Sequence, residues 1–204
     1  MSKRYAPATE RNRAPLLAVL QSQLPAAGIV LEIAAGSGQH AAYFAPRLAP
    51  RLWLPTDVGA ANLASISEWC AEEDSEWLLA TQHLDVLDTV WAVEQQALPE
   101  EVSAIVNINM LHIAPWACCN GLFSGAKRIL GGEGVVLIYG PFKQHGQHTA
   151  ASNESFDANL RGENASWGIR DQEAVAGVAL EAGFECVETI AMPANNQVLV
   201  FHRQ

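Results

Sequence analysis

The sequence predicts an α/β fold: a mostly parallel sheet with helices on both faces, closed by one antiparallel last strand. Three observations predict it. Short apolar runs alternate with segments of helical apolar spacing along most of the 204 residues. The glycine-rich stretch Gly36-Ser37-Gly38 follows one apolar run and opens a helical segment. The last two runs, residues 185–191 and 197–203, are separated only by a turn around Pro193-Ala194-Asn195-Asn196, so they pair as an antiparallel hairpin.

The elements follow in order. Leu16, Leu17, Leu20 and Leu24 recur at helical spacing, so a first amphipathic helix is expected after Pro15. Residues 29–34 read as a buried strand, 39–48 as a helix, 52–54 as a second strand and 62–73 as a second helix. A third strand is expected within 77–82, and 90–98 is helix-like. Residues 104–108 form a central strand. A helix over 116–130 is closed by Gly131-Gly132. Residues 135–139 make a further strand, a long polar loop follows, and 172–181 form a helix stopped by Gly183. No repeat is visible, so residues 1–204 are expected to form a single domain.

Half of the residues are hydrophobic and 17% are charged, a globular composition. The net charge of -10 opposes a phosphate backbone, so no nucleic-acid partner is expected. The start is basic, but the apolar run after it is short, contains Pro15 and lacks a cleavage site; a signal peptide is rejected. No stretch approaches the roughly 18 apolar residues of a membrane span, so no membrane partner is expected and the cytoplasm is the default location. Cys70, Cys118, Cys119 and Cys186 form no CxxC pair and read as reduced thiols. His145 and His148 near Glu154 are flexible in type, and no metal is assigned.

Gly36-x-Gly38-x-x-Ala41 also satisfies the dinucleotide fingerprint, so the glycine loop alone does not choose a ligand. Glu32 helps to choose. It sits inside an apolar strand, where a carboxylate is costly unless satisfied. Asp57 ends the second strand, nineteen residues after Gly38, where a carboxylate can accept both ribose hydroxyls; it also suits a helix N-cap. Asp85, in His83-Leu84-Asp85-Val86, follows the expected third strand and also suits a plain turn. Asn109-Met110-Leu111-His112 leaves the central strand at its carboxyl end, where open α/β sheets bind ligands.

This ordered set, with the antiparallel finish, resembles the Rossmann-like, seven-stranded class I methyltransferases. The resemblance implies S-adenosylmethionine as cofactor. Glu32 would lie near its methionine end, Asp57 at the ribose, Asp85 at the adenine amino group and the Val86 N–H at the ring. Ala34, Gly36, Ser37, Gly38, Asn109 and Met110 complete the expected cofactor site. His112 is the candidate proton acceptor, with a hydrogen-bonded structural role as the alternative.

The chain further resembles the methyltransferase-like protein 26 family over nearly its whole length. The markers are Arg4-Tyr5 with Glu10-Arg11-Asn12, the loop from Glu32 to His40, Asn109-Met110-Leu111-His112-Ile113-x-Pro115-Trp116, and Tyr139-Gly140-Pro141-Phe142. Ser152-Asn153-x-x-Phe156-Asp157-x-x-Leu160-Arg161 and Trp167-Gly168-Ile169-Arg170-Asp171 form a last block outside the general methyltransferase pattern. Pro55-Thr56-Asp57 departs from the Ser expected before the Asp. The resemblance implies the fold but no substrate.

The expected function is methyl transfer to a small molecule. A lid over residues 142–171 is expected, with Trp116, Tyr139, Phe142, Arg161, Trp167 and Arg170 as substrate contacts. Lys143, Arg161 and Arg170 suit an anion or, equally, partners in Asp157 and Asp171. The alternatives are a non-catalytic cofactor-binding protein and an NAD(P)-dependent oxidoreductase, which Glu32 and the lack of a YxxxK pair disfavour. Nothing in the sequence fixes an oligomeric state.

Overall fold

The computed structural model describes residues 3–204. The chain opens with helix α1, Pro7–Gln23. Strand β1 (Ile29–Ile33) leads through the glycine loop into α2 (Gln39–Phe44). Strand β2 (Leu52–Asp57), helix α3 (Ala60–Glu73) and the short β3 (Gln82–His83) follow. Next come β4 (Val102–Ile108), α4 (Ala117–Ile129) and β5 (Val135–Gly140).

Then the chain leaves the main sheet. It makes β6 (Phe142–Gln144), β7 (Gln147–His148), helix α5 (Ala151–Glu163) and β8 (Arg170–Asp171). Helix α6 (Gln172–Glu181) returns it to β9 (Phe184–Met192) and β10 (Asn196–Arg203).

The main sheet has seven strands in the order β3-β2-β1-β4-β5-β10-β9. Strand β10 runs antiparallel between β5 and β9, while β1 to β5 pair in parallel. Winding reverses between β1 and β4. Two successive strand ends diverge there, and a crevice opens at their carboxyl edge. Apolar side chains fill both faces of the sheet. One cluster joins it to α4 and α6 through Leu122, Phe123, Val175 and Ala179. The other joins it to α1 and α2 through Leu16, Leu20 and Phe44.

Four expectations need correction. Helix α1 starts at Pro7, with Pro15 inside it. A proline inside a helix loses one backbone bond. Burial of Thr9 and Asn12 before Pro15, and of Leu16, Val19 and Leu20 after it, holds both halves in one helix. The 90–98 segment makes only a single turn, Ala92–Glu94. Trp91 there is fully buried, against Gly125 of α4. A Cβ on Gly125 would lie 1.9 Å from the Trp91 ring, so this contact requires glycine. Glu94 turns back to accept from the Trp91 N–H at 2.7 Å. The strand expected within 77–82 reduces to one bridge, Trp53 to Leu78, and the two-residue β3.

The late loop is the fourth. It holds a three-stranded sheet, β7-β6-β8, and the thirteen-residue helix α5. The buried positions of α5 are Asn153, Asp157 and Leu160. Two of these three are polar, so no apolar period announces the helix. Asp157 organises the unit. It pairs with Lys143 at 3.0 Å and His148 at 3.3 Å, and accepts from the Ile169 N–H at 2.7 Å.

Candidate active site

The crevice at the β1–β4 reversal is a cavity of about 610 Å³. Its first wall is the turn after β1. Ala34, Gly36 and Gly38 all take positive φ, at 60°, 61° and 91°. Left-handed backbone costs an L residue roughly 1–2 kcal/mol, so Ala34 holds strain on the cavity wall. Asn109, at the end of β4, is also left-handed (φ 64°) and lines the cavity beside Ile108 and Met110.

The two loop glycines answer different needs. A Cβ on Gly38 would lie 2.7 Å from the Ile66 Cα, so Gly38 lets α3 pack on the loop. A Cβ on Gly36 would meet nothing within 4 Å, and Gly36 lines the cavity. Gly38→Ala is therefore expected to lower stability by about 2 kcal/mol through overpacking. Gly36→Ala should cost only about 1 kcal/mol, from its φ, yet weaken ligand binding more than Gly38→Ala does. Urea midpoints and calorimetric affinities for S-adenosylhomocysteine, measured on both variants, check this. Equal losses in both would refute the division.

Asp57 ties the wall together. Its Oδ2 accepts from the Gly36 N–H at 3.0 Å, and its Oδ1 accepts from the Gly59 N–H at 2.8 Å and Asn62 Nδ2 at 3.0 Å. A carboxylate offers about four acceptor positions. Three are taken, so Asp57 keeps one for a ligand and the two-hydroxyl arrangement expected of it does not fit unaided. Asp85 accepts from the Leu87 N–H at 2.9 Å through Oδ1 and lines the cavity beside Val86.

Glu32 lies at the bottom of the cavity, 1% exposed. Its partner is no basic residue: Trp53 Nε1 donates to its Oε2 at 2.8 Å. Burial pushes its carboxyl up to about 7; the Trp53 bond opposes the shift and the Asp57 charge adds to it.

The opposite wall comes from α1, which supplies Ala8, Thr9 and Asn12, preceded by Ala6. The segment before α1 is tied to α3. The Lys3 N–H donates to Glu68 at 2.9 Å, the Arg4 N–H to Ser65 Oγ at 2.8 Å, and Trp69 Nε1 to the Arg4 carbonyl at 3.0 Å. His40, in α2, faces this wall. Its Nε2 is 2.8 Å from Asn12 Oδ1, and its ring stacks on Phe44 with centroids 5.3 Å apart. Burial, with the Arg13 charge adding to it, lowers His40 to about 4, so the ring is neutral. Cys118 lines the cavity as well; burial and the Asp85 charge push its thiol up, so it stays protonated.

Of the residues expected at a cofactor, Glu32, Ala34, Gly36, Ser37, Asp57, Asp85, Val86, Asn109 and Met110 all line this cavity. Gly38 stands just behind it, as the N-cap of α2.

The expected substrate residues are placed differently, because none of them lines it. Phe142 is buried in the apolar cluster below α4 and α6. Tyr139 is buried on the other face of the sheet, and burial pushes its hydroxyl up. Arg161 turns to Asp157. Arg170 donates to the carbonyls of Leu111, Ala114 and Ser166 at 2.9, 2.6 and 2.7 Å, and its guanidinium stands 5.7 Å from the Trp116 ring centroid. The Trp167–Gly168 segment is fixed by the Gly168 N–H donating to the His112 carbonyl at 2.9 Å. Arg170 and the Gly168 N–H brace the 111–116 turn, whose Ile113, Ala114 and Pro115 form a cavity wall.

His112 also lies off the cavity. It is 6% exposed, and its ring meets the edge of Phe156 at 5.6 Å. Burial, then the Arg170 charge, lowers it to about 4. The other two late histidines pair with carboxylates, His145 with Glu173 at 3.2 Å and His148 with Asp157. Among the described residues no His, Cys, Asp and Glu group is arranged to hold a metal.

The comparisons agree with this architecture. A family model described as a protein of unknown function, DUF938, matches residues 3–203. The chain belongs to the DUF938 family. Solved structures resemble this DUF938 protein at low identity. An O-methyltransferase family protein from Burkholderia thailandensis matches with a TM-score of 0.77 and 16% identity, over 97% of this chain and 57% of that one. The pyocyanin biosynthetic protein PhzM matches at 0.72 and 14%, over 92% and 54%. CalO1, a methyltransferase of calicheamicin biosynthesis in its SAH-bound form, matches at 0.72 and 15%, over 94% and 54%. The DUF938 chain spans about half the length of these proteins. Its fold is the Rossmann-like class I methyltransferase fold.

Proposed function

We propose that this DUF938 protein binds S-adenosylmethionine and methylates a small molecule. One observation carries the reading: Glu32, Asp57 and Asp85 reach a single cavity around a left-handed loop whose Gly36 would admit a ligand beside it. The cavity volume lies within the usual range for small-molecule and cofactor sites. When bound, the cofactor supplies an already activated methyl group on a sulfonium.

The chain's own residues hold and orient. The remaining acceptor position of Asp57 takes a ribose hydroxyl. Asp85 and the Val86 N–H take the adenine edge. Glu32 balances the cationic methionine end from below, and Asn109 and Met110 close the floor. Apolar Ile108, Ile113, Ala114 and Pro115 exclude water from the reacting side. Residues 1–204 act as one domain on this reading, because both helical layers share one sheet. Kinship with the methyltransferase-like protein 26 family is supported by the cavity positions of its markers Asn12, His40 and Asn109. No described helix is long and apolar enough to cross a membrane. The four free thiols suit a reducing cytoplasm, and the net charge of -10 disfavours nucleic acid as the substrate.

Calorimetry with S-adenosylhomocysteine and with NADH tests the assignment. Saturable binding of S-adenosylhomocysteine in the micromolar range is expected, with NADH much weaker. Tighter binding of NADH would overturn it.

A further inference from the structure

We propose that the wall formed by Thr9, Asn12 and His40 is the subsite for the methyl acceptor, and that it takes a hydroxyl compound with an apolar body and no anionic group. The proposal rests on the cofactor reading above and goes beyond it.

The polar network assigns the imidazole. An amide oxygen has lone pairs and no proton to give. That leaves Asn12 Oδ1 to accept, so the His40 nitrogen 2.8 Å away carries the proton on Nε2. His40 Nδ1 is then an acceptor. No described group pairs with it, nor with the Thr9 hydroxyl, and neither atom is among the sealed, unpartnered polar atoms of the protein. Thr9 and Asn12 lie three apart on α1, on one helix face. A ligand hydroxyl can donate to Nδ1, and the Thr9 hydroxyl on the same lining can donate to the ligand or accept from it.

The lining disfavours an acceptor with net negative charge. Among the described residues the cavity is lined by three carboxylates and by no lysine or arginine. The arginine that acts on His40 is committed elsewhere: Arg13 pairs with Glu10 and lies over the Tyr43 ring. An acceptor with a net negative charge would meet no basic side chain on the lining itself, and a buried unpaired charge is strongly unfavourable. The rest of the reacting side is apolar: Ala8, Ile108, Ile113, Ala114 and Pro115.

Nitrogen-15 spectra of the full chain, saturated with S-adenosylhomocysteine and titrated with phenol or with benzoate, test this. His40 is expected to show a neutral ring with its proton on Nε2 between pH 5.5 and 8. Phenol should shift its Nδ1 resonance saturably, and benzoate should not. His40→Phe keeps the ring stacked on Phe44 and should weaken phenol binding at least tenfold. A proton on Nδ1, benzoate binding as tightly as phenol, equal phenol binding by His40→Phe, or no phenol binding by a protein that holds S-adenosylhomocysteine would each overturn the proposal. Failure of S-adenosylhomocysteine itself to bind overturns the cofactor reading instead. The same phenol titration of the free protein then decides the subsite.

Discussion

Asp57→Ala is expected to weaken S-adenosylhomocysteine binding by about 3 kcal/mol, roughly 100-fold, the upper range for losing hydrogen bonds to a charged group. The reason is in the bonding. The carboxylate joins the Gly36 N–H of the glycine loop to Gly59 and Asn62 at the start of α3. Its removal takes away the ligand's acceptor and leaves three donors without theirs. Asp57 is 4% exposed, so stability falls too, unlike that of a strand-end acid open to solvent. Asp57→Asn keeps acceptor oxygen but loses the charge, and it should melt closer to the parent while still binding weakly. Thermal melts paired with calorimetry separate the two effects. Parental affinity in Asp57→Ala would remove Asp57 from the site.

Glu32 should make both stability and cofactor affinity depend on pH. Its carboxyl rises from 4.5 to about 7 on folding, first because it is buried. A raised folded value means that folding favours the protonated form. The stability it contributes is present below about 4.5 and is lost as pH rises through about 7. The loss is about 3 kcal/mol at most, from the free-energy equivalent of each pKa unit. The cationic end of S-adenosylmethionine favours the carboxylate, so binding should tighten as pH rises through 7 and should release a proton.

Glu32→Gln can keep an acceptor for Trp53 Nε1 and removes the titration. The variant should be more stable than the parent at pH 8, without the parent's fall in stability between pH 6.5 and 8, where the buried neutral His40 and His112 no longer add a slope, and weaker in binding S-adenosylmethionine at pH 8. Urea unfolding across that range, with calorimetry in two buffers of different ionisation enthalpy, reads all of these. An unchanged pH slope in Glu32→Gln would assign the dependence to another group.

The glycine-loop wall of the cavity was legible in the sequence because its residues sit at fixed offsets from strand ends. The backbone itself sets those offsets: Glu32 within β1, the loop after it, Asp57 ending β2, Asn109 following β4. Strand alternation and the closing hairpin were legible for the same local reason, since apolar period and turn chemistry act over a few residues. The late helix α5 was not. Its buried residues include Asn153 and Asp157, which are inside only because Lys143, His148 and the Ile169 N–H meet Asp157 there.

By itself, then, the sequence determined the α/β order, the antiparallel finish and the acids around the glycine loop. The tertiary structure alone decided which residues face them. It placed α1 across the crevice, so that Thr9, Asn12 and His40 became the opposite wall although 28 residues separate Asn12 from His40. It set Arg170 and the 167–168 segment, expected in a substrate lid, behind the 111–116 turn, and it turned His112, the expected proton acceptor, away from the cavity. Spacing along a strand fixes where a side chain stands in its own element. Which element packs against it depends on burial summed over distant segments, and no local pattern records that sum.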